Sequence, residues 1–225
     1  NIRSLLHIIV VTTLVIESLG AILLSIRFVP KYGVHGVWVS IFTSVSAYCN
    51  AGFDILGNET PFGSLIHYNG DVIVLYTVMA LIFLGGIGFM VFQDLLSWRR
   101  HRHLMLHTKA MLIMSATLIA VGFLIFFIVE YENPKAPGPL PLFEKINAAL
   151  FQSVSARTAG FASLDLSQMH DFSKVVMIFL MIIGAGSGSC AGGIKVTTCL
   201  VLVMTVVSVI RGRDDTVVLG RRVAK

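Results

Sequence analysis

The chain alternates long and short blocks of apolar residues. Three long blocks can each cross the ~30 Å hydrocarbon core as a helix that rises ~1.5 Å per residue; they cover about residues 5–26, 72–96 and 110–129. Two blocks, over about 37–49 and 142–156, are too short to span. A last block, about 175–209, is too long for one span and is interrupted between Gly184 and Gly193. The pattern predicts an all-α integral membrane protein with four spanning helices and two re-entrant half-helices.

The order of long, short and long blocks occurs twice, which predicts an internal repeat of about 105 residues. A short motif confirms it within the sequence, because the Ser-Val-Ser-Ala of residues 44–47 recurs at residues 153–156, each time just before an Ala-Gly-Phe. We therefore divide the chain into a helix–pore–helix unit (1–98), a basic cytoplasmic loop (99–109), a second unit (110–210) whose last helix is broken, and a cytoplasmic tail or linker (211–225).

Composition and charge agree with a membrane protein. Hydrophobic residues make up 56% of the chain and charged residues 13%, and the mean hydropathy is +0.84. The net charge of +5 is concentrated in three groups between or beside the spanning blocks: Arg3; Arg99, Arg100, Arg102 and Lys109; Arg211, Arg213, Arg221, Arg222 and Lys225. The positive-inside rule places these groups in the cytoplasm, and a nucleic-acid surface is the less favoured interpretation.

This orientation makes both repeats enter the membrane from the same side. Their symmetry axis then lies along the membrane normal, with the repeats arranged around a central path. Secondary carriers with inverted repeats have the axis in the membrane plane. The arrangement therefore favours a pore, and a carrier with broken helices stays as an alternative.

The stretches after the two short blocks are candidate ion filters: Asn50, Ala51, Gly52 and Phe53; Thr158, Ala159, Gly160 and Phe161. A half-helix directs the partial negative charge of its C-terminus toward the path. Backbone carbonyls can then replace the hydration shell of a cation, and glycine permits the backbone angles that their close spacing needs. The alternative is a C-cap glycine on an ordinary short helix, but two copies in matching places favour a filter. We expect an aromatic residue to pack behind each filter.

The chain resembles the Trk/Ktr/HKT superfamily of potassium and sodium transporters, and within it the TrkH/KtrB-like membrane subunits. The resemblance rests on residues 49–54, residues 157–161 and the glycine-rich run of residues 184–198, and it covers essentially the whole chain. Family members carry four helix–pore–helix units with one filter glycine each. The resemblance therefore implies that this chain is a fragment holding the second and third units, with two further units elsewhere in the subunit.

The glycine-rich run interrupts the last apolar block. Its formal match to a dinucleotide fingerprint lacks the required strand and βαβ context, and tight helix packing through small residues is another interpretation. The resemblance implies a gate loop that obstructs the pore below the filter. We assign that role to Gly184, Gly186, Ser187, Gly188, Ser189, Gly192, Gly193 and Lys195. Lys195 either caps carbonyls of the broken helix or faces the vestibule.

Several charges near the predicted path are candidates for supporting roles, since charge inside a membrane is costly and often functional. Glu17 is either a buried structural partner or an ion contact, and Arg157 is expected to brace the filter from behind. Asp54 and Asp165 either concentrate cations at the outer mouth or are solvated loop acids. His101, His103 and His107 do not make a convincing metal site.

The sequence predicts K⁺ uptake across the plasma membrane, the inner membrane in a bacterium, with K⁺ as the transported ion and no organic cofactor. No arrangement of residues indicates an enzyme. The alternatives are a Na⁺-selective or Na⁺-coupled transporter, a secondary carrier, and a non-transporting membrane scaffold. The resemblance implies a homodimer that binds a cytosolic nucleotide-binding regulatory subunit, and the lipid bilayer is the remaining partner.

Overall fold

The computed structural model describes residues 2–57, 63–101, 103–136, 138–210, 216–218 and 221–223. Eight helices make up most of this part of the chain: α1 (Ile2–Tyr32), α2 (Val34–Tyr48), α3 (Val72–Gly86), α4 (Phe89–His101), α5 (Leu106–Glu130), α6 (Leu142–Ser155), α7 (Asp171–Ile182) and α8 (Val196–Ile210). A short 3-10 helix covers Ile66–Tyr68, and the strands β1 (Thr216–Val218) and β2 (Arg221–Val223) form an antiparallel pair. The all-α prediction is confirmed. Arg102, Arg211, Arg213 and Lys225 lie outside the described residues.

Two helices are long and apolar enough, by length and composition, to cross a membrane. They are Leu6–Tyr32 within α1 and Leu106–Glu130, which is α5. Both present exposed leucine, isoleucine and valine side chains along their lengths, as Leu14 and Ile128 illustrate. Such a surface is unfavourable in water but suits hydrocarbon, so the first and fourth apolar blocks behave as predicted.

The two half-helices each follow a long helix and pack against it. Helix α2 has 15 residues and α6 has 14, which at ~1.5 Å per residue is well short of a ~30 Å span. Helix α2 contacts α1 and α3, whereas α6 contacts α5 and α3. Both short blocks are therefore half-helices held inside a bundle, as the sequence predicts.

The third apolar block, over about residues 72–96, is not the continuous helix that its hydropathy predicts. It breaks at Ile87 and Gly88, and α3 and α4 meet at an angle of 98°. Gly88 has φ +89°, a conformation that glycine adopts without a steric penalty. The last block is broken as predicted, between α7 and α8. The described residues thus contain two continuous spans and two broken segments, and the bent α3–α4 pair is a third span if it crosses the membrane as one unit.

One buried cluster joins the two repeats. Phe28, Tyr48 and Tyr68 from the first repeat share it with Phe151 and Phe161 from the second. A polar bridge lies beside it, because the Asn69 side chain donates to the Ser163 carbonyl at 2.8 Å and the Asn147 side chain donates to the Asn69 carbonyl at 3.1 Å. Shared burial and paired polar groups fix the relative position of the half-helices, and hence of the segments that follow them.

Candidate functional site

The two predicted filter segments share left-handed backbone, with positive φ, at the same two positions. Asn50 and Thr158, the first residues of each, have φ of 51° and 66°. Gly52 and Gly160, the third residues, have φ of 72° and 84°. Positive φ is uncommon for residues other than glycine, and such strained backbone concentrates at functional sites. The repeat seen in the sequence is therefore also a repeat of an unusual local structure.

Serine hydroxyls of the repeated motif hold each segment against its half-helix. Ser46 Oγ donates to the Phe53 carbonyl at 2.6 Å, and Ser155 Oγ donates to the Phe161 carbonyl. Because their carbonyls already accept these bonds, Phe53 and Phe161 mark the outer end of each folded segment. The sequence shows the serine motif twice, but its spacing alone does not reveal this role.

The other serine of each motif fixes the half-helix to the preceding long helix. Ser44 Oγ donates to the Glu17 carbonyl and Ser153 Oγ donates to the Ile119 carbonyl, both at 2.7 Å. A glycine one turn further along the long helix makes room for each serine: a Cβ built on Gly20 or Gly122 would lie 2.5 Å from the serine oxygen. Sequence analysis missed both glycines, although their equivalent places in the repeats were a usable signal.

The filter glycines meet. A Cβ on Gly52 would lie 2.6 Å from the Gly160 Cα and 2.7 Å from the Ala159 carbonyl oxygen, and one on Gly160 would lie 2.9 Å from the Gly52 Cα. Neither position accepts a side chain without moving backbone. The described residues thus bring the two segments into contact and leave no open path between these two glycines.

The aromatic residues behind the segments differ. Phe161 is 2% exposed and belongs to the shared core, as expected of an aromatic packed behind a filter. Phe53 is 69% exposed, so the same expectation is wrong for Phe53 among the described residues. The reason is local: Phe161 faces the half-helices and core of both repeats, whereas the segment around Phe53 lies at the edge of the described bundle.

The interrupted stretch between α7 and α8 docks onto the break between α3 and α4. Three backbone hydrogen bonds join them: Gly186 N to Gly86 O at 2.8 Å, Cys190 N to Gly85 O at 3.3 Å, and Phe89 N to Gly188 O at 3.1 Å. Each break leaves backbone groups that lipid cannot satisfy, and the other break supplies partners for them. The sequence predicts the break between α7 and α8. It does not predict the break between α3 and α4 or the contact between the two breaks.

The glycine-rich stretch is ordered by its own bonds as well. Ile183 and Ile194 form a parallel bridge across its ends, where Gly184 crosses the backbone so closely that a Cβ would lie 1.8 Å from the Gly192 carbonyl oxygen. Lys195 Nζ donates to the Ala191 carbonyl at 2.7 Å, which is the capping alternative considered for this lysine.

Side chains complete the loop and connect it to the second filter segment. Ser187 and Thr197 share a hydroxyl hydrogen bond at 2.8 Å, and Ser189 Oγ donates to the Gly186 carbonyl at 2.6 Å. Gly192 N donates to Thr158 Oγ1 at 3.0 Å. The loop therefore lies directly against the residue that opens the second filter segment.

The three candidate charges occupy different places. The Glu17 carboxylate accepts a weak bond from the Cys49 thiol at 3.9 Å. Arg157 is 5% exposed, and its Nε has no partner; it lines a cavity of about 10 Å³ together with Asn50, whose side-chain oxygen and nitrogen are also unpaired. A cavity of that size with several polar atoms holds about one water molecule. Asp54 accepts from the Leu56 amide and so closes a turn.

Arg157 is therefore buried within protein beside Asn50, the first residue of the first filter segment. Asp165 resembles Asp54, because its carboxylate accepts from the amide and hydroxyl of Ser167. Both acids are turn-forming residues, whatever their effect on cations at the outer surface.

Known proteins are similar to this chain in sequence and in fold. The TrkH family, described as cation transport protein, matches residues 1–225. The Ktr system potassium uptake protein B of Bacillus subtilis is 40% identical over 224 residues, covering 99% of this chain and 49% of the relative. The potassium/sodium uptake protein NtpJ of Enterococcus hirae is 39% identical over 210 residues, covering 93% and 45%.

A solved structure supports the fold. The crystal structure of the potassium transporter TrkH from Vibrio parahaemolyticus matches with a TM-score of 0.66 at 20% identity, over 89% of this chain and 43% of that one. The chain spans about half the length of the curated relatives it matches. Sequence and fold together establish a multi-pass plasma-membrane protein, not an enzyme: the chain belongs to the TrkH family of cation transport proteins.

Proposed function

We propose that the full-length protein takes up K⁺ through a carbonyl-lined filter, to which this chain contributes two segments, and that the loop from Gly184 to Lys195 gates the path. The observation that carries the proposal is the matched backbone of the two segments, with positive φ at Asn50, Gly52, Thr158 and Gly160. The names of the Ktr and NtpJ relatives, which are called uptake proteins for potassium or for potassium and sodium, support the ion.

The chemistry of the segments suits a weakly hydrated monovalent cation. Carbonyl oxygens replace its hydration shell without introducing net charge, and the C-termini of α2 and α6 direct partial negative charge toward the segments. The ion-binding carbonyls that we propose are those of residues 50–52 and 158–160, since the Phe53 and Phe161 carbonyls accept serine hydroxyls. Two further segments from the rest of the subunit would complete a four-sided filter.

The loop is suited to gating because it lies against both the filter and a second break. Its Gly192 amide contacts Thr158, and its glycines bond to the backbone of Gly85 and Gly86. Irregular backbone at membrane depth is tolerated where protein or water covers it. In this position the loop obstructs the space beneath the filter, and displacement of the loop opens that space to the cytoplasm.

The same proposal includes the oligomeric assembly of the full-length protein. The full-length subunit forms a homodimer in the lipid bilayer and binds a cytosolic nucleotide-binding regulatory subunit. The surface that we propose for this subunit is residues 99–109, which join the end of α4 to the start of α5 and carry Arg99, Arg100, Arg102 and Lys109 in sequence. Anionic headgroups compete for such a surface.

Two other functions have specific support. The potassium/sodium name of the NtpJ relative favours Na⁺ selectivity or Na⁺ coupling as the second candidate. The two broken segments are the feature that a secondary carrier shares. Flux through a filter follows the electrochemical gradient, whereas a carrier saturates and keeps a fixed coupling ratio, so the dependence of flux on each ion gradient separates these functions.

The filter is tested in the full-length protein reconstituted into liposomes, with rubidium uptake and the K⁺/Na⁺ flux ratio as readouts. Gly52→Ala and Gly160→Ala each introduce a Cβ at positive φ and against the opposite segment. A difference of about 1.4 kcal/mol between the two ions changes the ratio tenfold. The collision forces the opposite segment to move, overpacking that costs about 1–3 kcal/mol, and so displaces the carbonyls that distinguish K⁺ from Na⁺. We therefore expect the flux ratio to fall about tenfold in each variant.

The matched control is Gly57→Ala, because a Cβ at Gly57 meets nothing within 4 Å. It should transport like the parent protein. Normal flux and an unchanged K⁺/Na⁺ ratio in both filter variants would contradict the filter and favour a non-transporting scaffold role for these segments.

A further inference from the structure

The first residues of the two filter segments, Asn50 and Thr158, are held differently. Thr158 Oγ1 accepts a hydrogen bond from the Gly192 amide at 3.0 Å. The side-chain oxygen and nitrogen of Asn50 are both buried and have no hydrogen-bond partner among the described residues. Buried polar groups are rarely left unpaired, because each loses its hydration without compensation. The first filter segment therefore calls for a partner that the surrounding side chains do not supply.

A second unpaired group lies at the same place but belongs to the other repeat. Arg157 directly precedes Thr158 and is 5% exposed, and its Nε has no hydrogen-bond partner in the described part of the chain. A buried guanidinium is costly unless its N–H groups are hydrogen-bonded. Arg157 therefore has the same need as Asn50, and it supplies a donor where Asn50 supplies an acceptor.

Both residues line one cavity of about 10 Å³, a volume that corresponds to about one water molecule. The Asn50 side chain points toward the last turn of α3, since a Cβ built on Gly85 or Gly86 would lie 3.4 or 3.9 Å from its Nδ2. The other residues that line the cavity have apolar side chains or none: Ile82, Phe83, Gly86, Val154 and Ala185. The polar side chains available to a molecule in this cavity are thus those of Asn50 and Arg157.

We propose that this cavity binds one water molecule that bridges Arg157 to Asn50, and that Arg157 positions the first filter segment through this bridge. The water accepts from the Nε–H group of Arg157 and donates to the side-chain oxygen of Asn50. Such water-mediated bonds are nearly as favourable as direct ones. The bridge crosses from the second repeat to the first and so fixes one filter segment relative to the other. The positioning role rests on the proposed filter, whereas the water site does not.

The water site is tested by cryo-electron microscopy of the full-length protein in lipid nanodiscs, at a resolution that shows ordered water. We expect one density peak within about 2.7–3.2 Å of both the Arg157 Nε and the Asn50 side chain. A direct bond between the two side chains would overturn the bridge. So would the lack of a peak in a map that shows other buried water molecules.

A double-mutant cycle measures the coupling between the two side chains. Arg157→Met and Asn50→Leu each leave the other polar group without its bridge, so each should lower the melting temperature by several degrees. The double variant removes both groups and should melt no lower than the less stable single variant. Leucine at φ 51° is strained in the single and the double variant alike, so this strain cancels in the cycle. Losses that simply add would refute the coupling.

Val154→Ile tests the water without removing either polar group. Its extra methyl group competes for the volume of the water molecule, so the density peak should be lost. We expect Val154→Ile and Arg157→Met to lower the K⁺/Na⁺ flux ratio in liposomes several-fold, because a released segment no longer holds its carbonyls at the spacing that distinguishes the ions. Loss of stability alone lowers both fluxes together and leaves their ratio unchanged.

Val45→Ile is the matched control for this variant. Val45 takes the same place in the first Ser-Val-Ser-Ala motif as Val154 does in the second, but it is 40% exposed and does not line the cavity. It should keep the water peak and the parent flux ratio. If Val154→Ile lost the water and still kept the parent ratio, the positioning role would be overturned.

Comparison with Gly52→Ala separates failure of the bridge from failure of the filter. A water peak and coupled melting temperatures with an unchanged ratio in Arg157→Met would leave the water site standing and refute the positioning role. If Gly52→Ala lowered the ratio in the same assay, the filter would stand without the bridge. If Gly52→Ala also left the ratio unchanged, the filter itself would be refuted.

Discussion

Gly88→Ala tests whether the gate loop closes the path by resting on the break after α3. A Cβ on Gly88 would lie 2.4 Å from the Ser187 carbonyl oxygen. Ordinary contact requires about 3.4 Å or more, so the loop must retreat by about 1 Å. That retreat stretches the neighbouring bond from Phe89 N to the Gly188 carbonyl, now 3.1 Å long.

The free-energy cost of Gly88→Ala has two parts, and they affect the protein differently. Alanine at φ +89° costs roughly 1–2 kcal/mol, but this strain is present wherever the loop lies and only lowers stability. The collision exists only while the loop rests on Gly88, and overpacking of this kind costs about 1–3 kcal/mol. Only differential strain shifts an equilibrium, so about 2 kcal/mol favours the displaced loop, roughly thirty-fold in population.

The assay is rubidium flux through the full-length protein in liposomes without an activating regulatory subunit. We expect Gly88→Ala to raise this unstimulated flux by roughly ten- to thirty-fold, within the limit set by the fully open state. Gly33→Ala is the matched control. Gly33 also has a positive φ, of 62°, but a Cβ there meets nothing within 4 Å, so it should lose a similar amount of stability and keep the parent flux.

The reasoning fails if Gly88→Ala is folded, as judged by a monodisperse elution profile and a cooperative thermal transition, and its unstimulated flux equals or falls below that of Gly33→Ala. Such a result would mean that the loop does not obstruct the path where it rests on the α3 break. A rise in flux of equal size in both variants would trace the effect to loss of stability.

Two further predictions separate the filter from its scaffold. Ser46→Ala and Ser155→Ala each remove the hydrogen bond that anchors the end of a filter segment at Phe53 or Phe161, worth about 0.5–1.5 kcal/mol, and should lower the K⁺/Na⁺ flux ratio several-fold. Ser25→Ala removes a bond within α1 and should leave the ratio unchanged. Equal ratios in all three variants would refute the role of the motif. Asn147→Ala leaves the Tyr76 hydroxyl and the Asn69 carbonyl unpaired. It should lower the free energy of unfolding by about 1–3 kcal/mol, measured by thermal unfolding in detergent, and Tyr76→Phe should lower it less. The K⁺/Na⁺ flux ratio should stay unchanged in both variants.

Much of the fold could be predicted from the sequence because the bilayer restricts the possible structures. Block length alone separates spans from half-helices, so α1, α2, α5 and α6 follow from apolar residues and a fixed rise per residue. The serine motif and the filter glycines were found because they occur twice. The repeat places Gly52 and Gly160 in the same role before any coordinates are considered.

The break between α3 and α4 could not be predicted, because a hydropathy profile does not show whether a helix bends. Residues 84–89 are apolar throughout, and glycine is common in membrane helices that stay straight. What bends this helix is a partner distant in sequence, the loop around Gly186 and Gly188, which bonds to the freed backbone. Phe53 was misjudged for a related reason: sequence symmetry with Phe161 does not imply equal surroundings.

The contact between the two breaks also constrains how the loop can move. In an apolar medium an amide–carbonyl hydrogen bond is worth about 4–6 kcal/mol, but exchange for water leaves only about 0.5–1.5 kcal/mol. Three such bonds tie the loop to residues 85, 86 and 89. Broken without water, the three bonds would cost about 12–18 kcal/mol, as much as the whole stability of a typical domain. Broken into water, they cost only a few kcal/mol. In the gate that we propose, displacement of the loop and entry of water beneath the filter are therefore one event, and the wetted loop is the open path.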